Sequence, residues 1–530
     1  MPEYLSPGVY VEEISVGPKP IEGVSTSTAA MLGPTERGPE SPKLVTSWLD
    51  FQRWYGGYLP DVSYLAYSVR GFFDNGGQRC FIGRITSTNA KVTTGAVGNL
   101  NISATGRGAW GNKIRIKVDD ATQKTNNGRN WFRVNILYFS NPPEDNDFVD
   151  PTSTDPKDLA NPKRRIPDVL EVYDNLSEVK DAGNSVVTVL NSSSRLVRVA
   201  WNDSGPDRLP NQGFTKLGTI GDDGGNIVAG DYIGDDKPIP GSPDPKKELL
   251  GRGRGLEAID AIDEVNLLMA PDQVQTSPAD LTPVTEELIN RCQILKDRFA
   301  VISLARGLSD VGAVPARPDT SFGACYYPWI EVFDPSANDT RLIPATGHVA
   351  GIMARTDIER GVHKAPANET VRGALNLEFP VTKQMQDILN PRGVNCIRDF
   401  RSDRRGIRLW GARTMSSDAE WKYINVRRLF LFLEESIDEG TQWVVFEPNY
   451  EATWARVTRS ITNFLIRVWR SGALAGTVQD EAFFVKCDRT TMTQDDLDNG
   501  RLICYIGVAP VKPAEFVIFR ISQKTVEAKG

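Results

Sequence analysis

The run "VNLLMAP" at residues 265–271 is apolar almost throughout, too short for an ordinary helix, and closed by a proline. It reads as a buried β-strand. Beyond it, Val284, Leu288, Cys292, Leu295 and Phe299 recur at helical spacing, "AVISLA" (300–305) reads as a second buried strand, and "ACYYPWIEVF" (324–333) as a third. Strand, helix and strand in that order argue for a partly parallel, helix-covered sheet, so the middle of the chain is expected to be αβ.

Upstream, residues 24–87 continue the αβ pattern. Ser47 is placed to cap a short helix carrying Trp48, Leu49, Phe51 and Trp54, which Gly56 and Gly57 end. Ser63 is placed to cap a second, whose Leu65, Val69, Phe72 and Phe73 keep helical spacing up to "NGG" at 75–77, and "RCFIGRI" (79–85) then reads as a buried strand. From 88 to 200 the period changes to two. "KIRIKV" (113–118) puts Ile114, Ile116 and Val118 on one face and three cations on the other, and Phe132, Val134, Ile136 and Tyr138 alternate with mostly polar partners. An antiparallel insertion with one wet face is expected. The proline- and charge-rich stretch 140–168 and the Gly/Asp/Pro-rich stretch 202–253 read as surface loops. From 371 onward helices are expected near 381–389, 420–438 and 450–470, with strands near 394–400, 407–413, 443–446, 482–487 and 501–509.

Both chain ends read as strands without an evident partner. "SPGVYVEEI" (6–14) sets Val9 and Val11 on one face and Tyr10, Glu12 and Ile14 on the other, and the prolines and glycines of "SVGPKPIEG" (15–23) deny it a regular neighbour. "AEFVIFRIS" (514–522), after "PVKP" (510–513), alternates Val517, Phe519 and Ile521 against Phe516, Ile518 and Arg520. Two largely apolar faces call for cover on both sides.

Composition narrows the function. Across 530 residues, 40% are hydrophobic and 24% charged, a profile of folded, soluble protein with room for two to four domains. A net charge of -7 gives no global attraction to nucleic acid or anionic lipid. The start "MPEYLSPGVY" has no signal-peptide pattern, and "LFLFL" (429–433) is far below membrane-spanning length, so no membrane insertion is expected. Six cysteines (Cys80, Cys292, Cys325, Cys396, Cys487 and Cys504) show no C-x-x-C spacing and read as reduced, mostly buried thiols. No metal site is suggested. The two histidines, His348 and His363, flank Asp357 and Glu359 but no G-x-S-x-G elbow occurs, so structural roles are preferred to a serine–His348–Asp357 hydrolase. "GRGRGLEAI" (251–259) lacks G-K-[ST] and reads as a loop entering a helix, so no nucleotide or other cofactor is expected.

One constellation remains. In the helix expected at 450–470, Arg456, Arg459, Arg467 and Arg470 fall within roughly 80° of one another at about 100° per residue, opposite Val457, Ile461, Phe464, Leu465 and Val468. This is either a solvated face or a docking ridge for an acidic partner.

The motifs "YLSPGVYVEE", "GFFDNGGQRC", "IPATGHVAGIMARTDIERGVHKAPANE", "LNPRGVNCIR", "GIRLWGARTM", "YINVRRL" and "VVFEPN" together resemble the tail sheath proteins of contractile phage tails and phage-tail-like injection systems. The resemblance runs from residue 5 to about 449, with 88–200 and 202–253 the segments that match least. It implies an α/β and α+β multidomain chain. The implied layout is an N-terminal arm (1–23), a mixed-sheet core built from both ends of the chain (24–87 and 371–512), and a β-rich outer insertion (88–200). A Gly/Asp/Pro-rich loop (201–254), a subtilisin-like αβ part without proteolysis (255–370) and a C-terminal arm (513–530) complete it.

The same resemblance implies a structural subunit, assembled in the bacterial cytoplasm, that stacks as hexameric rings around an inner tube between a baseplate and a terminal cap and contracts to drive the tube through an envelope. The arms, through Val9, Tyr10, Val11, Ile14, Phe516, Val517, Ile518, Phe519 and Ile521, are then expected to pair with neighbouring copies. The four arginines become an expected inner-tube contact. The competing expectations are the hydrolase and, from the β insertion alone, a host-binding spike.

Overall fold

In the computed structural model, residues 20–123, 131–234, 253–276, 279–315 and 317–518 are described. They fall into two compact units, a larger one of Ser25–Arg360 with Ala365–Arg427, and a smaller one of Gly361–Lys364, the chain from Arg428 onward and the described residues before Ser25.

The larger unit is built on a nine-stranded sheet. Its strands, in chain order, are β1 (Ala29–Gly33), β2 (Lys43–Val45), β3 (Cys80–Arg84), β4 (Leu267–Met269), β5 (Phe299–Ser303), β6 (Gly323–Tyr327), β7 (Glu369–Thr370), β8 (Val394–Phe400) and β9 (Gly406–Trp410). The spatial order is β7-β9-β8-β6-β5-β4-β1-β3-β2. From β3 to β8 all neighbours are parallel, while at one edge β2 pairs antiparallel with β3 and at the other β9 pairs antiparallel with β8 and β7 with β9. Every residue of β1, β4, β5 and β6 is buried, as a parallel strand covered on both faces requires. The partly parallel, helix-covered sheet expected from "VNLLMAP" is present.

Helices α1 (Trp48–Tyr55), α2 (Leu65–Asp74), α3 (Thr282–Leu295) and α4 (Thr346–Arg360) pack on this sheet and on one another. Ser47 caps α1 as expected, its Oγ accepting from Asp50 N at 3.1 Å. Ser63 sits one residue ahead of the α2 cap. Its hydroxyl donates to Asp272 Oδ2 (2.7 Å) while Tyr64 N donates to Asp272 Oδ1 (2.6 Å), so a carboxylate from the turn after β4 serves the helix start. Burial pushes the Asp272 carboxyl up to about 6.

The α2–α4 crossing depends on glycine. A Cβ added to Gly347 would lie 2.1 Å from Ser68 O, and one on Gly351 2.4 Å from Phe72 O, so each backbone is closed against the other helix. Arg355 on α4 donates to Asn75 O (3.0 Å) and Thr370 O (3.1 Å), tying the end of α2 to the edge strand β7.

Residues 88–201 form the expected antiparallel insertion. One sheet has the order Gln212–Lys216, Ile114–Asp120, Phe132–Tyr138, Val169–Leu176, and a second joins Thr94–Val97, Leu100–Ala104 and Val197–Trp201. Ile114, Ile116, Val118, Phe132, Val134 and Ile136 share a core with Leu100, Ile102 and Val197.

Three expectations need correction, for 202–253, for 443–446 and for the separation of 24–87 and 371–512 from 255–370. Gln212–Lys216 lies inside the stretch read as loop yet completes the four-stranded sheet, because backbone pairing with Ile116 and Val118 does not require an apolar sequence. The 140–168 stretch is the expected surface loop, and it lies over the cationic face, where Asp145 pairs with Arg115 (2.5 Å) and Asp150 with Lys117 (2.9 Å). Strand 443–446 is a 3₁₀ turn, Gln442–Val444, followed by Phe446 at φ 68°. Residues 513–518, the described part of the C-terminal arm, form no strand in the structure. Segments 24–87 and 394–410, expected in a core domain apart from 255–370, supply strands to the same sheet as it does, since parallel strands pair across long crossovers.

The glycine-lined crossing gives a stability test. Gly351→Ala should lower the unfolding free energy by about 1–3 kcal/mol through overpacking, whereas Gly183→Ala, where nothing lies within 4 Å, should change it by less than about 0.5 kcal/mol in chemical denaturation.

Candidate assembly surfaces

The smaller unit is organised by two helices and a hairpin. Leu429 and Leu433, on the helix Ile424–Thr441, which we call α5, pack against Val457, Ile461, Phe464, Leu465 and Val468 of α6 (Glu451–Arg470), with Ile21 and Phe483 closing the cluster. The amphipathic stripe expected on α6 is therefore its buried face. On the opposite face the arginines differ from one another. Arg456 pairs with Glu447 (2.6 Å) and lies 5.1 Å over the Trp443 ring, and Arg467 donates to Ile21 O. Arg459 and Arg470 are exposed, and neither has a charged partner among the described residues. The expected uniform ridge is corrected to two committed arginines and two open ones, because Glu447, just ahead of α6, and Ile21, far from it in sequence, pack against it.

The hairpin pairs β10 (Phe483–Lys486) with β11 (Tyr505–Val508) in antiparallel register from Phe483↔Val508 to Lys486↔Tyr505. Phe484 covers Gly507, whose added Cβ would lie 2.2 Å from the ring, yet Phe484 and Tyr505 remain 58% and 57% exposed. Two strands alone are marginal in water. Ala475 N donates to Ala509 O (2.7 Å) and Val511 N to Ala473 O (3.2 Å), so the chain is held at residue 511, inside the stretch 510–513 expected to bend. Beyond it Phe516, Val517 and Ile518 are 70%, 68% and 77% exposed, a run of apolar side chains a soluble monomer seldom displays. Val9, Tyr10, Val11, Ile14, Phe519 and Ile521 lie outside the described residues.

Sequence reasoning missed Phe446. It is fully exposed (102%) at a positive φ that bulky residues avoid, between α5 and α6, and only the "EPN" turn signal that follows it pointed to an end of regular structure.

The hydrolase constellation is not assembled. His348 and Asp357 are nine positions apart on α4, which sets them on opposite faces and about 13 Å apart along the axis. His348 is buried against Gly71, and its Nδ1 has no hydrogen-bond partner. Asp357 Oδ2 instead accepts from Thr26 Oγ1 at 2.7 Å. His363 belongs to the smaller unit. Among the described residues no cluster of three or more His, Cys, Asp or Glu is arranged to hold a metal, and no helix is long and apolar enough to cross a membrane.

With this geometry established, the comparisons with known proteins are informative. Residues 246–415 match the phage tail sheath protein central domain and residues 416–524 the phage tail sheath C-terminal domain. The chain belongs to the phage tail sheath family. It is 29% identical over 200 residues to a putative prophage major tail sheath protein of Pseudomonas aeruginosa, covering 37% of this chain and 49% of that protein. It is 26% identical over 279 residues to the tail sheath protein of Escherichia phage P2, covering 51% and 67%. The matched stretch thus spans about half the length of the first of these relatives. Its fold resembles that of the sheath complex of an extracellular contractile injection system, PVC, in the contracted state, with a TM-score of 0.56, 24% identity and 99% of both chains covered. The mixed α/β, multidomain architecture is that of sheath structures.

The His348 environment predicts a pH dependence in this sheath family member. Burial pushes its pKa down to about 4, so the folded state resists a proton that the unfolded state accepts below about 6.5. Stability contributed by the neutral ring is complete above about pH 6.5 and is lost as pH falls toward 4, by up to about 3 kcal/mol. Denaturation of wild type and His348→Gln at pH 7 and 4.5 should show a smaller acid loss in the variant.

Proposed function

We propose that this chain is a structural subunit of a contractile sheath, assembled in the bacterial cytoplasm as stacked hexameric rings around an inner tube, on a baseplate and under a terminal cap. Support comes chiefly from one juxtaposition. In a chain whose residues 246–524 match the sheath family, a two-stranded hairpin ends in an extended, exposed apolar segment that its own fold leaves uncovered. Strand addition supplies what is missing. Val9, Tyr10, Val11 and Ile14 of one copy, and Phe516, Val517, Ile518, Phe519 and Ile521 of another, would extend a neighbour's β10–β11 ribbon by main-chain pairing. A dozen extended residues reach about 40 Å, enough to leave the home subunit. Such a contact is head-to-tail, so it propagates into rings or helices.

Contraction follows as rigid-body movement of subunits while the donated strands stay paired, with the chain ahead of the buried Ile21 and Lys512–Pro513 as the points that bend. Arg459 and Arg470 are the tube-facing contacts of the extended state, and screening by salt weakens them. The six-strand parallel region is read as the subtilisin-like layer and the insertion 88–200 as the outward decoration, neither carrying catalysis.

Two experiments test this. Removing residues 1–16 should leave a monomer with wild-type circular dichroism that forms no tubes in negative-stain images; normal sheaths from the truncated protein would refute strand donation. The double variant Arg459→Glu/Arg470→Glu should polymerise but lose co-sedimenting tube at a lower salt concentration than wild type, and unchanged tube retention would remove these arginines from the contact.

A further inference from the structure

The hairpin of the smaller unit opposes two cysteines one step beyond its last paired residues. Its register runs from Phe483↔Val508 to Lys486↔Tyr505, so the next position sets Cys487 across from Cys504. Ala509 N donates to Ala482 O (2.9 Å), which makes 482 with 509 a hydrogen-bonded position. Such positions alternate with non-hydrogen-bonded ones along an antiparallel ladder, so 484 with 507 and 486 with 505 are bonded and 487 with 504 is not. In that position facing Cα atoms lie about 4.5 Å apart, within the roughly 4.4–6.8 Å that a disulfide spans. By the same alternation both cysteines share the face that Phe483, Val485 and Val508 turn to the α5–α6 core.

The loop between them is tied so that the two stay opposite. Thr491 Oγ1 accepts from Asp488 N (3.2 Å) and lies 2.8 Å from Ile503 O, bridging the rung next to the cysteines. Arg501 N donates to Asp496 O (2.7 Å), and Cys487 packs with Trp454 and Met492 in a small apolar cluster that Ile503 and Cys504 join. A cavity of about 310 Å³, lined by Cys487 and Trp454 and rimmed by the exposed Glu451–Arg489 pair, gives small solutes access to Cys487. Cys325 and Cys396 also sit on paired strands, β6 and β8, but two residues out of register. That offset separates their Cα atoms by roughly 8 Å, beyond the reach of a disulfide.

We propose that Cys487 and Cys504 form a reversible disulfide, made when the protein meets a peroxide, that staples the loop end of the β10–β11 ribbon and fixes residues 488–503. The Cys487 thiolate attacks one peroxide oxygen, the O–O bond breaks and hydroxide leaves, making a sulfenic acid. The Cys504 sulfur then attacks that sulfur, the S–O bond breaks and a second hydroxide leaves. The two thiol protons end on the two hydroxides, so two thiols are oxidised to one disulfide while hydrogen peroxide is reduced to two waters. Burial, and after it the neighbouring Cys487, push the Cys504 thiol up to about 12, and burial pushes Cys487 up as well. Thiolate is therefore scarce at neutral pH and closure is slow there. A ribbon of two strands gains most from such a closure, because little else supports it. The inference rests on the smaller unit alone and is independent of the sheath reading.

The test exposes the full reduced chain to hydrogen peroxide, alkylates the remaining thiols under denaturing conditions and maps the peptides by mass spectrometry. A cross-link between Cys487 and Cys504, alkylation of the other four cysteines, and recovery of all six on adding dithiothreitol are expected. The rate of cross-linking should rise about tenfold per pH unit from pH 7 to 9, because only the thiolate attacks. Closure should also slow tryptic cleavage at Arg489 and Arg501 relative to the reduced chain. Cys504→Ser should give no cross-link and leave a Cys487 sulfenic acid that dimedone traps, and the wild-type map decides the matter by itself if this variant fails to fold. Absence of the cross-link, a cross-link through another pair of cysteines, or tryptic cleavage unchanged by closure would each overturn the proposal.

Discussion

Six parallel strands hold together only if helices cover both faces of the sheet, and in this protein that cover depends on two helices approaching without side chains between them. Gly347 and Gly351 of α4 lie against the backbone of α2 at Ser68 and Phe72. The close approach buries His348 against Gly71 and lets Arg355 reach from α4 to the carbonyls of Asn75 and Thr370. Dispersion between closely packed backbones and satisfied carbonyls then fixes the cover. That layer covers β1, β4 and β5.

The smaller unit shows the opposite condition. Its helix pair is well packed, with Leu465 fully buried, yet its only sheet among the described residues has two strands and exposes Phe484 and Tyr505. A fold that completes its helices but leaves a ribbon and an apolar tail exposed is suited to association. The same contrast separates Arg456 and Arg467, whose donors the unit itself uses, from Arg459 and Arg470, which it leaves open.

Much of this was legible in periodicity. The alternation of Ile114, Ile116 and Val118 marked a half-buried strand, and Ser47 marked a helix start, because those signals arise from neighbours along the chain. The strand Gln212–Lys216 was not legible, since its place depends on backbone pairing with residues about a hundred positions earlier. The ridge on α6 was legible as charge and angle. Its division into engaged and open arginines was not, because Glu447 and Ile21 come to it only through tertiary packing.

The sequence by itself determined the αβ centre, the antiparallel insertion, the buried stripe of α6 and, through its motifs, the sheath family, all properties carried by local pattern. Tertiary structure decided that segments 29–84 and 394–410 share one sheet with 267–327, and that His348 and Asp357 point apart. The reason is physical: periodicity encodes which face of an element is apolar, whereas partners distant along the chain are selected only when whole elements compete for the same buried surface.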